Sequence, residues 1–156
     1  MSEKISDATK TKLLHFNDFL NDVYGTEFRI SDALNKMGFP TEKAAELKDL
    51  KLDDFFIHLE FALKCKLYGD TNSRRAYQIV CRRYGLFGLE KETLQSIGER
   101  FGISRERIRQ LEQKAIRRMK SKYDPMSILI TLAACNAVGI DAMDVLNPTG
   151  EWDDED

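Results

Sequence analysis

Apolar residues recur along most of this chain at three- and four-residue intervals, the spacing that lines one face of an α-helix. They do not alternate in the two-residue rhythm of a half-buried strand. Residues 10–24 carry Leu13, Phe16, Leu20 and Val23 at helical spacing and are closed by Gly25. Residues 31–37 predict a short helix stopped by Gly38 and Pro40, and Thr41 is placed to cap a third. Asp53 opens a fourth helix running to about Tyr68, with Phe56, Leu59, Leu63 and Leu67 inward. These four segments are expected to pack into a small bundle, with Gly69-Asp70-Thr71-Asn72 as the boundary. The predicted fold class is therefore all-α, a helical bundle.

The pattern sharpens after that boundary. Residues 73–84 predict a helix holding Tyr77, Val80 and Cys81, ended by Gly85 as a left-handed cap. Thr93 then caps a helix whose Leu94, Ile97 and Phe101 share one face, and Gly102 breaks it. Ser104 caps the next, whose buried stripe is Ile108, Leu111, Ala115 and Met119. Two helices joined by one tight turn describe a helix-turn-helix, an element that reads DNA. Opposite the buried stripe stand Glu106, Gln110, Gln113 and Arg117, flanked by Arg109 and Lys114.

Between Glu106 and Gln113 the helix rises roughly 10 Å, the length of about three stacked base pairs, and the major groove is wide enough to admit it. A Glu accepts from cytosine N4, a Gln pairs bidentately with adenine, and Arg serves guanine or phosphate. Arg105, Glu106, Arg109 and Gln110 are accordingly the expected base readers, because the N-terminal part of such a helix enters deepest. Arg107, Gln113, Lys114, Arg117, Arg118 and Lys120 are expected on the DNA backbone or a protein partner, as are Arg82 and Arg83 of the supporting helix.

Tyr84-Gly85-Leu86, Thr93-Leu94, Ile97-Gly98, Phe101-Gly102, the string from Ser104 to Gln110 and Ala115 together resemble region 4 of the sigma-70 family of initiation factors. The resemblance covers residues 74–122. It implies reading of the promoter −35 element in the major groove and docking on the flap of the RNA polymerase β subunit. Residue by residue, it implies base contacts from Arg105, Glu106 and Gln110, and phosphate or activator contacts from Arg109 and Lys114. A complete factor of this family also needs a region 2, which binds the polymerase clamp and melts the −10 element, and residues 1–70 carry no such signature. The expected function is a transcription regulator that contacts −35-type double-stranded promoter DNA, core polymerase, or both. The alternatives are the region 4 subunit of a split factor working with a region 2-like partner, and a phage-encoded polymerase-binding protein in which DNA reading is secondary.

Beyond the helix-turn-helix, Asp124-Pro125 opens a helix through Ile128, Leu129, Ile130, Leu132 and Val138 that is apolar nearly all round. Burial against the N-terminal bundle is the first expectation, and an apolar surface for polymerase or for a homodimer the second. Asn147-Pro148-Thr149-Gly150 is a turn signal, followed by an acidic tail, EWDDED. The expected organisation is an N-terminal helical domain at 1–70, the region 4-like domain at 71–122, an apolar helical segment at 123–148 and the tail at 149–156.

Charge supports the DNA reading through its distribution, since the net value of −2 alone would oppose it. Residues 64–122 hold 16 Lys and Arg against 6 Asp and Glu, a net +10, whereas the flanks are −4 and −8. The basic block coincides with the helix-turn-helix, as phosphate neutralisation requires. Three widely spaced cysteines, Cys65, Cys81 and Cys135, predict reduced thiols that pack as small hydrophobes in a cytoplasmic protein. No apolar run approaches the ~20 residues of a membrane span, and the first ten residues are too polar for a signal peptide. His15 and His58 lack neighbours at metal-ligand spacing, and no phosphate loop or nucleophile motif is present, so no metal, no cofactor and no enzymatic activity are expected.

Overall fold

A computed structural model describes residues 6–25, 28–67, 73–119 and 125–146. In chain order the helices are α1 (Asp7–Tyr24), α2 (Ile30–Lys36), α3 (Thr41–Leu50), α4 (Leu52–Leu67), α5 (Ser73–Tyr84), α6 (Leu94–Phe101), α7 (Arg105–Met119), α8 (Pro125–Val138) and α9 (Ala142–Leu146), with one 3₁₀ turn at Leu86–Gly88. Among the described residues there is no strand, so the all-α expectation holds. The boundary at residues 69–72, Lys120, the cap at Asp124, the turn at 147–150 and the acidic tail lie outside the described residues.

Local chemistry explains the helix ends, with some departures from the spacing argument. Helix α1 begins three residues earlier than expected because Ser6 accepts a bond from the Thr9 amide at 3.1 Å, and the Thr9 hydroxyl in turn donates to Asp53 of α4. Thr41 is the first residue of α3 rather than its cap; Pro40 holds the cap position and makes no side-chain bond there. Helix α9 went unpredicted, since five residues are too short to show a period.

The main core is built from α1, α2, α3, α4, α5, α7, α8 and α9 together. Phe16, Phe19, Leu20 and Val23 of α1 meet Phe55, Phe56, Leu59 and Leu63 of α4 within it, and Tyr77, Val80, Cys81, Leu86, Ala115 and Met119 join from the helix-turn-helix half. Helix α8 supplies Met126, Ile130, Ala133, Ala134 and Cys135, packed chiefly on α4 and also on α2 and α3. Most of the apolar surface of α8 is thus covered in cis, the first of the two expectations, while Ile128, Leu129 and Leu132 are half-buried. Phe19 and Phe55, absent from the expected inward set, are fully buried because both α1 and α4 have neighbours on more than one side. Cys81 and Cys135 pack as small hydrophobes, but Cys65 is exposed. Burial pushes the Cys81 thiol up to about 12 and the Cys135 thiol up to about 11, well clear of thiolate formation at neutral pH.

A second, smaller core lies under the turn itself. Ile79 of α5, Ile97 of α6, and Ile108 and Leu111 of α7 are buried together, with Leu94, Phe101 and Ile103 packed around them. Helix α5 thus backs the helix-turn-helix from behind.

Candidate nucleic-acid interface

The α6–α7 corner is built as its sequence requires. Thr93 accepts from the Ser96 amide at 3.0 Å and Gly102 closes α6 in the left-handed conformation. Ser104 then accepts from the Arg107 amide at 3.0 Å, fixing where α7 starts. Between the two caps the chain passes so close to α6 that a Cβ on Gly98 would lie 2.8 Å from the Ile103 carbonyl oxygen. That approach is what lets Ile103 donate its amide to the Gly98 carbonyl at 3.0 Å and turn the chain within three residues.

With Ile108, Leu111, Ala115 and Met119 buried, the opposite edge of α7 faces solvent. Arg105, Glu106, Arg107, Gln110, Gln113, Lys114 and Arg117 are exposed, and Arg109 and Arg118 are partly exposed. The reading set is not a row of isolated side chains. Arg109 donates two bonds to the Glu106 carboxylate, at 2.9 and 2.6 Å; the Gln110 amide donates to the same carboxylate at 3.5 Å, and the Arg107 guanidinium donates to the Gln110 Oε1 at 3.5 Å. Hydrogen bonding from Arg109 holds the Glu106 carboxyl below the ordinary range and raises Arg109 in return, so both are charged at neutral pH.

Arg82 and Arg83 have a different placement from the one expected. Arg82 donates to Glu92 at 3.1 Å, and Arg83 sits 3.5 Å from Glu112 and donates to the Glu92 carbonyl at 3.4 Å. Both guanidiniums thus have internal acceptors while their side chains stay partly exposed, 27% for Arg82 and 40% for Arg83. Glu92, unremarked in the spacing argument, is the centre of this arrangement: besides Arg82 it accepts from Ser96 at 3.0 Å and from Arg100 at 3.1 and 3.3 Å. Burial pushes its carboxyl up, but the bonds from Arg100, Ser96 and Arg82 outweigh that and keep it below the usual range. The only sequence signal was an acid just ahead of a helix N-cap, where it also suits the dipole. Glu112, on the inner half of α7, is pushed up by burial and held back by Arg83.

Helix α1 fastens the other side of the corner. His15 Nδ1 bonds the Gly85 carbonyl at 2.8 Å, and a Cβ on Gly85, whose φ is 67°, would stand 2.8 Å from that same nitrogen. Tyr84 donates to Asp22, Tyr24 donates to the Met119 carbonyl at 3.0 Å, and Lys91 pairs with Asp18 at 3.7 Å. Phe19 packs edge-on against Tyr84 at 4.9 Å and Phe16 against Phe87 at 6.0 Å. Among the described residues no cluster of His, Cys, Asp and Glu could hold a metal ion, and no helix is long and apolar enough to cross a membrane.

Comparison with known proteins places this corner. Residues 73–121, which hold this helix-turn-helix, match the protein-family model for sigma-70, region 4. The chain is 34% identical over 83 residues to RNA polymerase sigma factor sigB of Arabidopsis thaliana, covering 53% of this chain and 14% of that protein. It is 45% identical over 51 residues to the RNA polymerase sigma factors SigA of Microcystis aeruginosa and of Synechocystis sp., covering 33% of this chain and 12% of each. The chain thus spans about one seventh or less of the length of these relatives. No solved structure matches it.

Proposed function

We propose that the chain is a cytoplasmic, non-enzymatic transcription regulator that lays the outer edge of α7 in the major groove of −35-type promoter DNA and engages RNA polymerase through the same region 4 domain. One observation carries this reading. The outer edge of α7, which lies within the segment matched to sigma-70 region 4, is free of the protein's own interior, while the apolar residues of that helix turn inward. Glu106 and Gln110, one turn apart near the helix start, present an acceptor and an amide to base edges, with Arg105 beside them. Lys114 and Arg117, further along and exposed, suit phosphates, whose contacts position the helix without reading sequence. Docking on the polymerase β flap belongs to the same proposal, drawn from the family.

The two kinds of contact separate in a binding titration. Glu106→Ala and Gln110→Ala should each weaken the preferred duplex on the order of tenfold while leaving unrelated duplexes almost unchanged, so that discrimination narrows. Lys114→Ala and Arg117→Ala should weaken all duplexes alike and reduce the salt slope by about one each. Preference and salt slope unmoved by all four changes would defeat the assignment of α7 to DNA.

A further inference from the structure

Helix α4 buries Phe55, Phe56, Leu59 and Leu63, yet it leaves two large apolar side chains in water: Ile57 is 65% exposed and Phe61 60%. They are one helical turn apart and stand side by side on the outer strip of the helix. The strip has unlike ends. Asp53 and Asp54 are exposed at its N-terminal end, and Lys64 and the exposed Cys65 lie at its C-terminal end.

We infer that this strip is a homodimer contact, in which α4 of one chain packs antiparallel on α4 of a second copy about a two-fold axis near residue 59. A two-fold interface must be self-complementary: if residue i meets j, then j meets i. Residue 59 lies midway between Ile57 and Phe61, so each Ile57 falls against Phe61 of the second copy. At about 100° per residue, Asp53 and Lys64 share one flank of the strip and Asp54 and Cys65 the other, at nearly equal distances from the axis. Antiparallel packing therefore brings Asp53 of each copy to Lys64 of the other, whereas parallel packing would set acid against acid and base against base.

The charges are available for this. The bonds Lys64 now makes are long, 3.9 Å to Glu60 and 5.7 Å to the Tyr77 ring centre; Asp53 is exposed and accepts from the Thr9 hydroxyl through one of its two carboxylate oxygens, and Asp54 is 4.0 Å from Lys51. Glu60, which would otherwise meet its own copy near the axis, accepts from the Tyr77 hydroxyl of its own chain at 3.2 Å. One helix pair is at the small end of specific interfaces, so the association is weak and concentration-dependent. The α4 strip is remote in sequence from the α7 edge, and the dimer does not rest on the DNA assignment.

Sedimentation equilibrium of the full chain across a wide concentration series tests it. The mass should climb from the 18.0 kDa of one chain toward twice that value, and Phe61→Glu should weaken the association at least tenfold with an unchanged melting curve. An Asp54→Cys variant should bridge rapidly to the native Cys65 of the second copy with a short bis-maleimide, giving a mapped 54–65 cross-link, while Glu42→Cys on α3 should not. A chain that stays monomeric throughout, a dimer indifferent to Phe61→Glu, or a cross-link pattern lacking 54–65 would each overturn the proposal. Binding of Phe61 to a different protein by a monomeric chain would do the same.

Discussion

Residues 73–121 cut free of the rest of the chain should show no cooperative unfolding transition, even though they hold the whole helix-turn-helix. The segment's own core is the cluster of Ile79, Ile97, Ile108 and Leu111 under the turn. Its other buried apolar residues, Ala76, Tyr77, Val80, Cys81, Leu86, Ala115 and Met119, belong to the main core, where α1 and α4 pack on the segment. A chain of about 50 residues is already marginal, and exposing half of its apolar contacts removes the margin. In the intact protein, Phe19→Ala reports on the same dependence. This ring is fully buried between Phe16, at 5.5 Å, and Tyr84, at 4.9 Å, so its loss should cost about 3–5 kcal/mol of unfolding free energy. Urea denaturation followed by circular dichroism measures both. A sharp transition in the excised segment, or a Phe19→Ala cost below about 1 kcal/mol, would show that α1 is an accessory rather than part of the domain's core.

Gly98→Val should uncouple α7 from α6. A Cβ at this position meets backbone, the Ile103 carbonyl oxygen at 2.8 Å and the Arg105 amide nitrogen at 3.4 Å, and backbone has no rotamer to escape into. The turn must open, which loses the Ile103 amide bond and shifts the start of α7. Overpacking of this kind costs about 1–3 kcal/mol, and a melting temperature lower by several degrees is expected. Duplex affinity should fall further than stability alone predicts, because the displaced residues are those proposed for the groove and an error of about 1 Å is enough to spoil such contacts. Calorimetry beside a binding titration separates the two effects. Wild-type affinity in a destabilised but folded Gly98→Val variant would mean that the turn geometry is not what presents α7.

Much of this corner was legible in the sequence because its determinants are local. Thr93, Gly102 and Ser104 end and start helices through bonds to residues three or four positions away, and the stripe from Ile108 to Met119 follows from helical period alone. Even the Glu106–Arg109 pair is a three-residue spacing on one helix. What escaped were contacts between residues distant in the chain. Tyr84 meets Asp22 across 62 positions and Tyr24 meets Met119 across 95, and no periodicity encodes either. The carboxylates that pair with Arg82 and Arg83, Glu92 and Glu112, belong to other elements, so the helical pattern of residues 73–84 gave no sign of those pairs. The all-round apolar α8 left two outcomes open for the same reason: periodicity shows that a face must be covered, not by what.

The most direct measurement is selection of duplexes from a randomised pool by the full chain, run in parallel with the Glu106→Ala/Gln110→Ala double variant. The α7 assignment predicts that the wild-type chain enriches a short motif whose core spans about three base pairs, the reach of the helix between Glu106 and Gln113, and that the double variant loses preference at those positions while still binding DNA. An enriched motif identical in both proteins, or no enrichment by either, would contradict it.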